Sequence, residues 1–183
     1  MRKLRYRFSS DEALMLAYRD GDSAAFECLY HRHKDAVFTF LHRGCAQPNV
    51  VEEVAQETWE AVINAASRYT PSAKFRTWLF QIGRRRMADH WRRAPQQESP
   101  LEASTEAVTA STGPGDEDYA AFEQRVLRAV GELPADQRDA LLLREQGFSL
   151  AEISDITGAA SETVKSRLRY GRTQLRAQLG DSL

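Results

Sequence analysis

The chain has 183 residues and a formal net charge of −1, with 42% hydrophobic and 28% charged residues, which is typical of one or two small globular domains. No apolar run approaches the roughly 20 residues that span a bilayer, and no apolar stretch follows the basic N-terminus, so neither membrane insertion nor a secretory signal is predicted. The two cysteines cannot form the disulfide framework of a secreted scaffold, which favours a cytoplasmic location.

Four helices are predicted in the first half of the chain. Ser9 and Glu12 fit a capping box that opens a helix ending near Asp20, and Gly21 separates it from the next. The second helix places apolar residues at steps of three and four on an inward face: Phe26, Leu29, Tyr30, His33, Val37, Phe40 and Leu41. The third buries Val51, Val54, Ala55, Thr58, Val62 and Ala66 and shows Glu53, Glu57 and Glu60 on its other side. The fourth buries Phe75, Trp78, Leu79, Ile82 and Met87 and ends before Pro95.

Aromatic and basic residues alternate from the end of the third helix through the fourth. The segment 69–78 and the runs 83–86 and 90–93 combine rings with Lys and Arg. Single-stranded nucleic acid is bound by such combinations, because every base has a π face and every linkage a negative charge. The register places Trp78 in the core, whereas Tyr69 and Trp91 fit either the core or a stacking role.

Residues 94–118 form an acidic strip. It holds six acids and no base, whereas residues 1–93 hold 16 Lys and Arg against 11 Asp and Glu, and residues 119–183 hold nine of each. Pro, Gly and small polar residues fill the strip, so it lacks the apolar surface needed to fold. It is predicted to be a flexible linker between two domains, 1–93 and 119–183, that move independently in the free chain, or else a solvated loop without a role of its own.

The second half of the chain carries a helix-turn-helix pattern. A helix with Tyr119, Phe122, Val126 and Val130 stops at Pro134, which suits the first turn of the next helix, and Gly147 ends that one. A capping box at 149–152 opens a short helix ended by Gly158, and Ser161 is predicted to cap a longer one. In this pattern the second helix enters the major groove of DNA. No strand alternation is found, so the predicted fold is all-α.

The last helix carries a basic stripe opposite its apolar register. Lys165, Arg169, Arg172 and Arg176 recur at steps of four, three and four. Lys165, Ser166 and Arg169 are predicted to read base edges, and Arg167, Arg172 and Arg176 to contact phosphates at the flanks. A basic face that serves only solubility is the alternative.

Neither a metal site, a cofactor nor a catalytic constellation is predicted. Cys28 and His42, which with His31 and Cys45 resemble a zinc site on paper, are 14 residues apart on one predicted helix. That separation is about 21 Å, far beyond the reach of one ion. No phosphate loop, nucleophile elbow or metalloprotease helix is found.

Three motifs in this order resemble the extracytoplasmic function group of bacterial RNA polymerase sigma factors. The segment 52–59 is similar to the family's acidic helix that docks on polymerase, 75–82 to the segment leading into the helix that opens the −10 element, and 133–168 to the domain that reads the −35 element. Gly83, Arg85 and the run 169–172 depart from the common pattern, so base preferences are not carried over.

The resemblance implies core polymerase, promoter DNA and an anti-sigma factor as partners. It implies that Glu53, Gln56, Glu57 and Glu60 bind core polymerase. The expected −10 residues are Tyr69, Lys74, Phe75, Arg76, Arg85, Trp91 and Arg92. The expected −35 residues are Ser161, Thr163, Lys165, Ser166, Arg167, Arg169, Arg172 and Arg176. The linker would thread a channel that otherwise carries RNA.

Two other functions compete with this interpretation. A dimeric helix-turn-helix regulator that acts without polymerase would account for residues 133–179 but not for the acidic helix or the aromatic and basic block. A nucleic-acid-processing enzyme is more distant, because no catalytic constellation is found.

Overall fold

The computed structural model describes residues 6, 8–45, 47–93 and 116–180. Over these ranges the chain forms helices and no strand, which confirms the all-α prediction. Eight α-helices and one 3-10 turn are present in the described part: α1 Asp11–Arg19, α2 Ser23–Gly44, α3 Pro48–Ala65, the turn Ala66–Arg68, α4 Phe75–Arg93, α5 Asp116–Gly131, α6 Ala135–Glu145, α7 Leu150–Thr157 and α8 Ser161–Leu179.

The start of α1 differs from the predicted capping box. Ser10, not Ser9, is the N-cap, and its hydroxyl accepts a hydrogen bond from the Ala13 amide at 3.2 Å. Glu12 instead accepts a hydrogen bond from the Phe75 amide at 2.7 Å. Since the first amides of a helix lack partners within it, Glu12 satisfies one at the start of α4 and fixes α1 against that helix.

The first four helices pack around a shared apolar centre. Leu29, Val51, Val62 and Leu79 are fully buried and follow the predicted registers, and Leu14 of α1 is fully buried with them. Tyr30 departs from its register and is 39% exposed, and Phe80, which was not assigned to the core, is 1% exposed. α2 is continuous through Cys28, His31 and His42, so the separation that argues against a zinc site holds.

The predicted linker lies largely outside the described residues, which resume at residue 116. α5 begins at Asp116, so the last three residues of the expected linker are helical. Acidic residues are favoured in the first turn of a helix, where unpaired amides and the helix dipole present positive charge.

The helix-turn-helix consists of α7 and α8. The predicted capping box is confirmed: the Glu152 amide donates to the Ser149 hydroxyl, and the Ser149 amide donates to the Glu152 carboxylate at 2.9 Å. Gly158 ends α7 with a φ of +71°. Two cap predictions are wrong by one residue: Ser161 is the first residue of α8 after Ala160 as N-cap, and Pro134 precedes the first turn of α6 as its N-cap.

α6 and α8 approach closely at Gly171, which is buried. A Cβ added there would lie 2.7 Å from Leu141 Cδ1 and 3.3 Å from Leu141 Cγ. A side chain at position 171 would therefore have to displace Leu141, which favours glycine there although glycine disfavours a helix by roughly 0.5–1 kcal/mol relative to alanine.

Gly171→Val is expected to lower the free energy of unfolding by about 1–3 kcal/mol, because added carbons overpack a close helix contact. The measurement is urea denaturation followed by circular dichroism. Gly131→Ala is the matched control, since a Cβ at Gly131 meets nothing within 4 Å and alanine favours the helix. Equal effects of the two substitutions would contradict the packing role.

The two halves of the chain pack against each other, which differs from the expectation of independently mobile domains. The rings of Phe80 in α4 and Phe148 after α6 lie 4.9 Å apart and are each 1% exposed. Leu142 is buried, and its Cδ1 would lie 3.6 Å from a Cβ on Gly44. Apolar side chains assigned to one half are thus buried against the other, so the described helices share a continuous core.

Candidate nucleic-acid interface

A basic groove runs along the exposed side of α8. Its walls are formed by Lys165, Arg169, Arg172 and Arg176, with Leu150, Leu168 and Thr173 at its floor and rim. All four cations of the predicted stripe are exposed. The groove therefore presents positive charge on the helix that the helix-turn-helix places in a major groove.

One cation of this groove was missed from the sequence. Arg144 lies at the end of α6, lines the same groove and donates to the Phe148 carbonyl at 3.0 Å. It lies on α6, two helices before α8, so no helical spacing relates it to the basic residues of α8. At the start of α8, Ser161 and Thr163 are exposed and Ser166 is half-buried.

Arg167 does not join the groove. Its guanidinium pairs with Asp136 of α6 and is 22% exposed, so in this structure it bridges two helices, and its phosphate contact stays a prediction. The step from 165 to 167 carries it round the helix, away from Lys165 and Arg169, because each residue turns α8 by about 100°.

Two aromatic residues of the predicted −10 set are buried. Phe75 is 0% exposed and Tyr69 is 5% exposed. Their rings pack with Trp78, at centroid distances of 5.8 and 5.1 Å. Because both rings are buried, neither can stack on a base without rearrangement. The sequence showed that this segment is rich in aromatic residues but not which of the rings enter the core.

The Tyr69 hydroxyl is buried without a hydrogen-bond partner among the described residues. Burial raises the pKa of Tyr69 to about 12, with the charges of Glu12 and Asp11 adding to the effect. Tyr69 also lines a cavity of about 350 Å³ with Thr70, Ser72, Trp78 and Gln81. The phenol is thus a neutral group at the wall of this cavity.

The remaining members of the predicted −10 set form two groups on α4. Lys74 and Arg76 lie at its start, whereas Arg85, Trp91 and Arg92 are exposed further along it. Arg76 and Arg92 are 16 residues apart, or roughly 24 Å along the helix. The two groups also lie on opposite sides of α4, because the nine residues from Arg76 to Arg85 make two and a half helical turns, and Trp91 is 41% exposed near the end of the helix.

The first group contacts the other half of the chain. Lys74 Nζ donates to Glu152 Oε1 at 2.8 Å, and the Arg76 guanidinium lies 4.2 Å from the centre of the Phe148 ring. The hydrogen bond from Lys74, with those from Ser149, lowers the pKa of Glu152 to about 2. Glu152 therefore carries a full negative charge beside Lys74 at neutral pH.

The acidic face of α3 is largely open to solvent. Glu53, Gln56 and Glu60 are exposed, and Gln56 donates to Glu60 at 2.8 Å. Glu57 differs, because its side chain is 26% exposed and its carboxylate lies 3.6 Å from the Arg93 guanidinium. The structure thus brings three of the four predicted polymerase contacts to one surface, and turns the fourth toward α4.

An apolar groove adjoins this acidic face. Tyr30, Phe38 and Ile63 are 39%, 43% and 43% exposed, although sequence periodicity had assigned Tyr30 to the core. Trp59 packs edge-on against Tyr30, with ring centroids 5.0 Å apart. Glu52, Gln56 and Glu60 form one rim of the groove and Lys34 and Asp35 another. Phe38 and Ile63 were missed because they fall outside the apolar registers.

The described side chains do not converge on a metal site. No group of three or more His, Cys, Asp or Glu is placed to hold an ion in the part of the chain that the structure covers. Among the helices it contains, none has the length and hydropathy required to cross a membrane.

Sequence comparisons match both halves of the chain to families. Residues 29–96 match the model of Sigma-70 region 2, and residues 123–175 match that of Sigma-70, region 4. The chain is 31% identical over 168 residues to RNA polymerase sigma factor CarQ of Myxococcus xanthus, covering 91% of this chain and 96% of CarQ. It is 30% identical to ECF RNA polymerase sigma factor SigC of Mycobacterium tuberculosis, with 92% of each chain covered.

Solved structures resemble most of the chain. CnrH in complex with the cytosolic domain of CnrY is 25% identical, with a TM-score of 0.73 over 94% of this chain and 99% of CnrH. The sigma factor RpoE of Bartonella quintana, in complex with the anti-sigma factor NepR, shares the fold with a TM-score of 0.72 at 23% identity, over 86% of this chain and 98% of that one.

Proposed function

The chain belongs to the sigma-70 family of RNA polymerase sigma factors, in its extracytoplasmic function group. We propose that separate surfaces of the chain bind core polymerase, the −10 element and the −35 element. As a sigma factor, it acts with core polymerase to direct initiation at promoters. A dimeric regulator that acts without polymerase is not favoured, because the match to Sigma-70 region 2 covers the half that such a regulator leaves unexplained.

Residues 1–93 form, in this proposal, the unit that binds core polymerase and the −10 element. The exposed face of Glu53, Gln56 and Glu60 docks on a basic surface of polymerase, and the groove of Tyr30, Phe38 and Ile63 receives apolar side chains beside it. Charged rims steer association, while buried aromatic contacts supply much of the affinity. Glu57 supports this face through Arg93.

The opened −10 strand binds along α4. Lys74, Arg76, Arg85 and Arg92 supply cations for phosphates, and Trp91 supplies an exposed ring for stacking. The loop between α3 and α4 holds an unstacked base, and Tyr69 contributes a neutral wall to the adjoining cavity. Extruding a base costs a few kcal/mol, which such contacts offset.

Residues 119–183 read the −35 element through the basic groove of α8. Lys165, Ser166 and Arg169 face base edges near the start of the helix, while Arg172, Arg176 and Arg144 contact phosphates. The intervening residues 94–118 join the two units, and the acidic side chains in this segment favour a basic channel of polymerase.

An anti-sigma factor is a further proposed partner. CnrH, which resembles this chain over nearly its full length, is bound to the cytosolic domain of CnrY. We place the protein in the cytoplasm with polymerase and assign it no catalysis of its own, since its proposed surfaces bind macromolecules.

One observation carries this assignment: a single chain presents an exposed acidic face on α3 beside the apolar groove between α2 and α3, and a basic groove on α8. The test is reconstitution with core polymerase from the same bacterium, followed by transcription from a library with randomised −35 and −10 positions. We expect co-elution with core enzyme and selection of two short elements at a fixed spacing. Binding to a palindromic duplex as a dimer, without co-elution, would favour the regulator instead.

A further inference from the structure

The helix α8 carries an exposed aromatic residue that the proposed function does not use. Tyr170 is 55% exposed, and no other large apolar side chain that the structure describes within residues 121–180 is exposed. Single exposed rings are common on protein surfaces, so exposure alone assigns this ring no role. Its contact with Arg169, the residue proposed to read a base, does suggest one.

The ring and the hydroxyl of Tyr170 both contact the Arg169 guanidinium. The guanidinium carbon lies 4.9 Å from the centre of the ring, within the range of a cation–π contact. Arg169 Nη2 also donates a hydrogen bond to the Tyr170 hydroxyl at 3.2 Å. Two contacts from one side chain restrict the rotamers of the arginine more than either contact alone would.

The charges around Arg169 favour this arrangement. Lys165 lies four residues before it and Arg172 three residues after it, and like charges at these helical spacings repel. Tyr170 lies about 100° round the helix from Arg169, in the direction away from both cations. The negative face of an aromatic ring attracts a cation, so repulsion on one side and attraction on the other hold the guanidinium beside Tyr170.

The contact leaves Arg169 able to bind a base. A guanidinium has five N–H donors, and the Tyr170 hydroxyl accepts from one of them, which leaves more than the two that a guanine edge needs. Lys165 and Arg167 differ, because each is paired with a carboxylate that DNA would have to displace. Arg169 is therefore held in place without being neutralised.

We propose that Tyr170 is a positioning residue for −35 recognition, which holds the Arg169 guanidinium ready for a base edge before DNA binds. This inference rests on the proposed function of Arg169. A long side chain that is already ordered in the free protein loses less conformational entropy on binding. Tyr170 therefore strengthens discrimination at the base pair that Arg169 reads and leaves the other base pairs unchanged.

Three substitutions of Tyr170 separate the ring face from its bulk. Tyr170→Phe keeps the ring, Tyr170→Leu keeps apolar bulk without a π face, and Tyr170→Ala removes both. Leucine and alanine favour a helix more than tyrosine does, and phenylalanine about equals it, so α8 tolerates all three. NMR relaxation of the Arg169 Nε–H group in the free full chain reports its order. We expect an ordered group in the wild type and Tyr170→Phe, and a mobile one in Tyr170→Leu and Tyr170→Ala.

Each variant is then assembled with core polymerase and tested on a promoter library with randomised −35 positions. Arg169→Ala and the double variant of Arg169→Ala with Tyr170→Ala complete a cycle. An exposed cation–π contact changes an equilibrium about two- to fivefold. We expect Tyr170→Ala and Tyr170→Leu to lower discrimination by that factor at the position that Arg169→Ala relaxes, Tyr170→Phe to stay near the wild type, and the double variant to match Arg169→Ala.

A relaxed preference at a different position, or a double variant weaker than Arg169→Ala, would overturn the proposal, because Tyr170 would then contact DNA itself. A uniform loss at all promoters would reduce its role to helix stability, and a mobile Arg169 in the wild type would remove the positioning. If Arg169→Ala alters the profile and Tyr170→Ala does not, the positioning role alone fails. An unaltered profile for Arg169→Ala would overturn base reading by Arg169 together with this inference, so the two failures are told apart.

Discussion

Glu53→Lys combined with Glu60→Lys should abolish the binding of the chain to core polymerase while leaving its helical circular dichroism unchanged. Both carboxylates are exposed on α3 and lie outside its buried register, so the fold does not depend on them. Reversing two charges against a basic partner surface costs several kcal/mol, which corresponds to a loss of affinity of at least about a hundredfold. The measurement is co-elution with core polymerase and titration of a labelled chain.

The choice of residues follows from the structure. Sequence spacing alone would pair Glu53 with Glu57, but Glu57 lies 3.6 Å from Arg93 and is 26% exposed. A lysine there would face Arg93 and confound loss of binding with damage to the contact between α3 and α4. Glu123→Lys is the matched control, because Glu123 is an exposed carboxylate on α5 that does not line the groove beside α3. Undiminished co-elution of the α3 variant would remove this face from the interface.

The helices and their inward faces could be predicted from the sequence because they depend on short-range patterns. Leu29 and Val51 recur with their neighbours at helical spacing, and both are fully buried. The capping box at Ser149 is local to four residues, so the sequence defines it completely. At the first helix, the predicted capping box of Ser9 and Glu12 is wrong, because Ser10 caps the helix and Glu12 bonds the Phe75 amide, 63 residues away.

The packing of the two halves could not be predicted, because its contacts resemble surface features in the sequence. Lys74 and Arg84 read as solvent-exposed cations of a nucleic-acid face, yet their partners Glu152 and Asp139 lie 78 and 55 residues further along the chain. In the sequence, Phe148 is only the residue that follows the predicted helix cap at Gly147. In the structure, its ring packs on that of Phe80. Only tertiary structure shows which opposite charges meet.

The basic stripe on α8 was likewise predictable from local spacing, whereas its tertiary contacts were not. Helical spacing placed Lys165, Arg169, Arg172 and Arg176 on one exposed face, which the structure bears out. Spacing did not reveal that Arg167 pairs with Asp136, nor that Arg144 completes the groove from another helix. Tertiary contacts therefore decide which cations of this half are open to DNA.

Arg169→Ala should reduce transcription from cognate promoters and relax selectivity at one −35 base pair. Arg169 is exposed in the groove of α8, and an arginine that bonds a guanine edge with both arms discriminates by about 1–3 kcal/mol. Arg176 lies seven residues further along, roughly 10 Å along the helix axis, where a phosphate contact is expected. Arg176→Ala should therefore weaken all promoters about equally and reduce the salt dependence of binding by about one counterion.

Arg167→Ala supplies the matched control, since it removes a cation of the same helix whose partner is Asp136 and not the groove. Each variant is assembled with core polymerase and tested on a promoter library with randomised −35 positions. We expect a changed preference at one position for Arg169→Ala, a uniform loss for Arg176→Ala and an unchanged profile for Arg167→Ala. An unaltered profile for Arg169→Ala would assign base recognition to other residues of α8, because a bidentate contact cannot be lost without relaxing the position it reads.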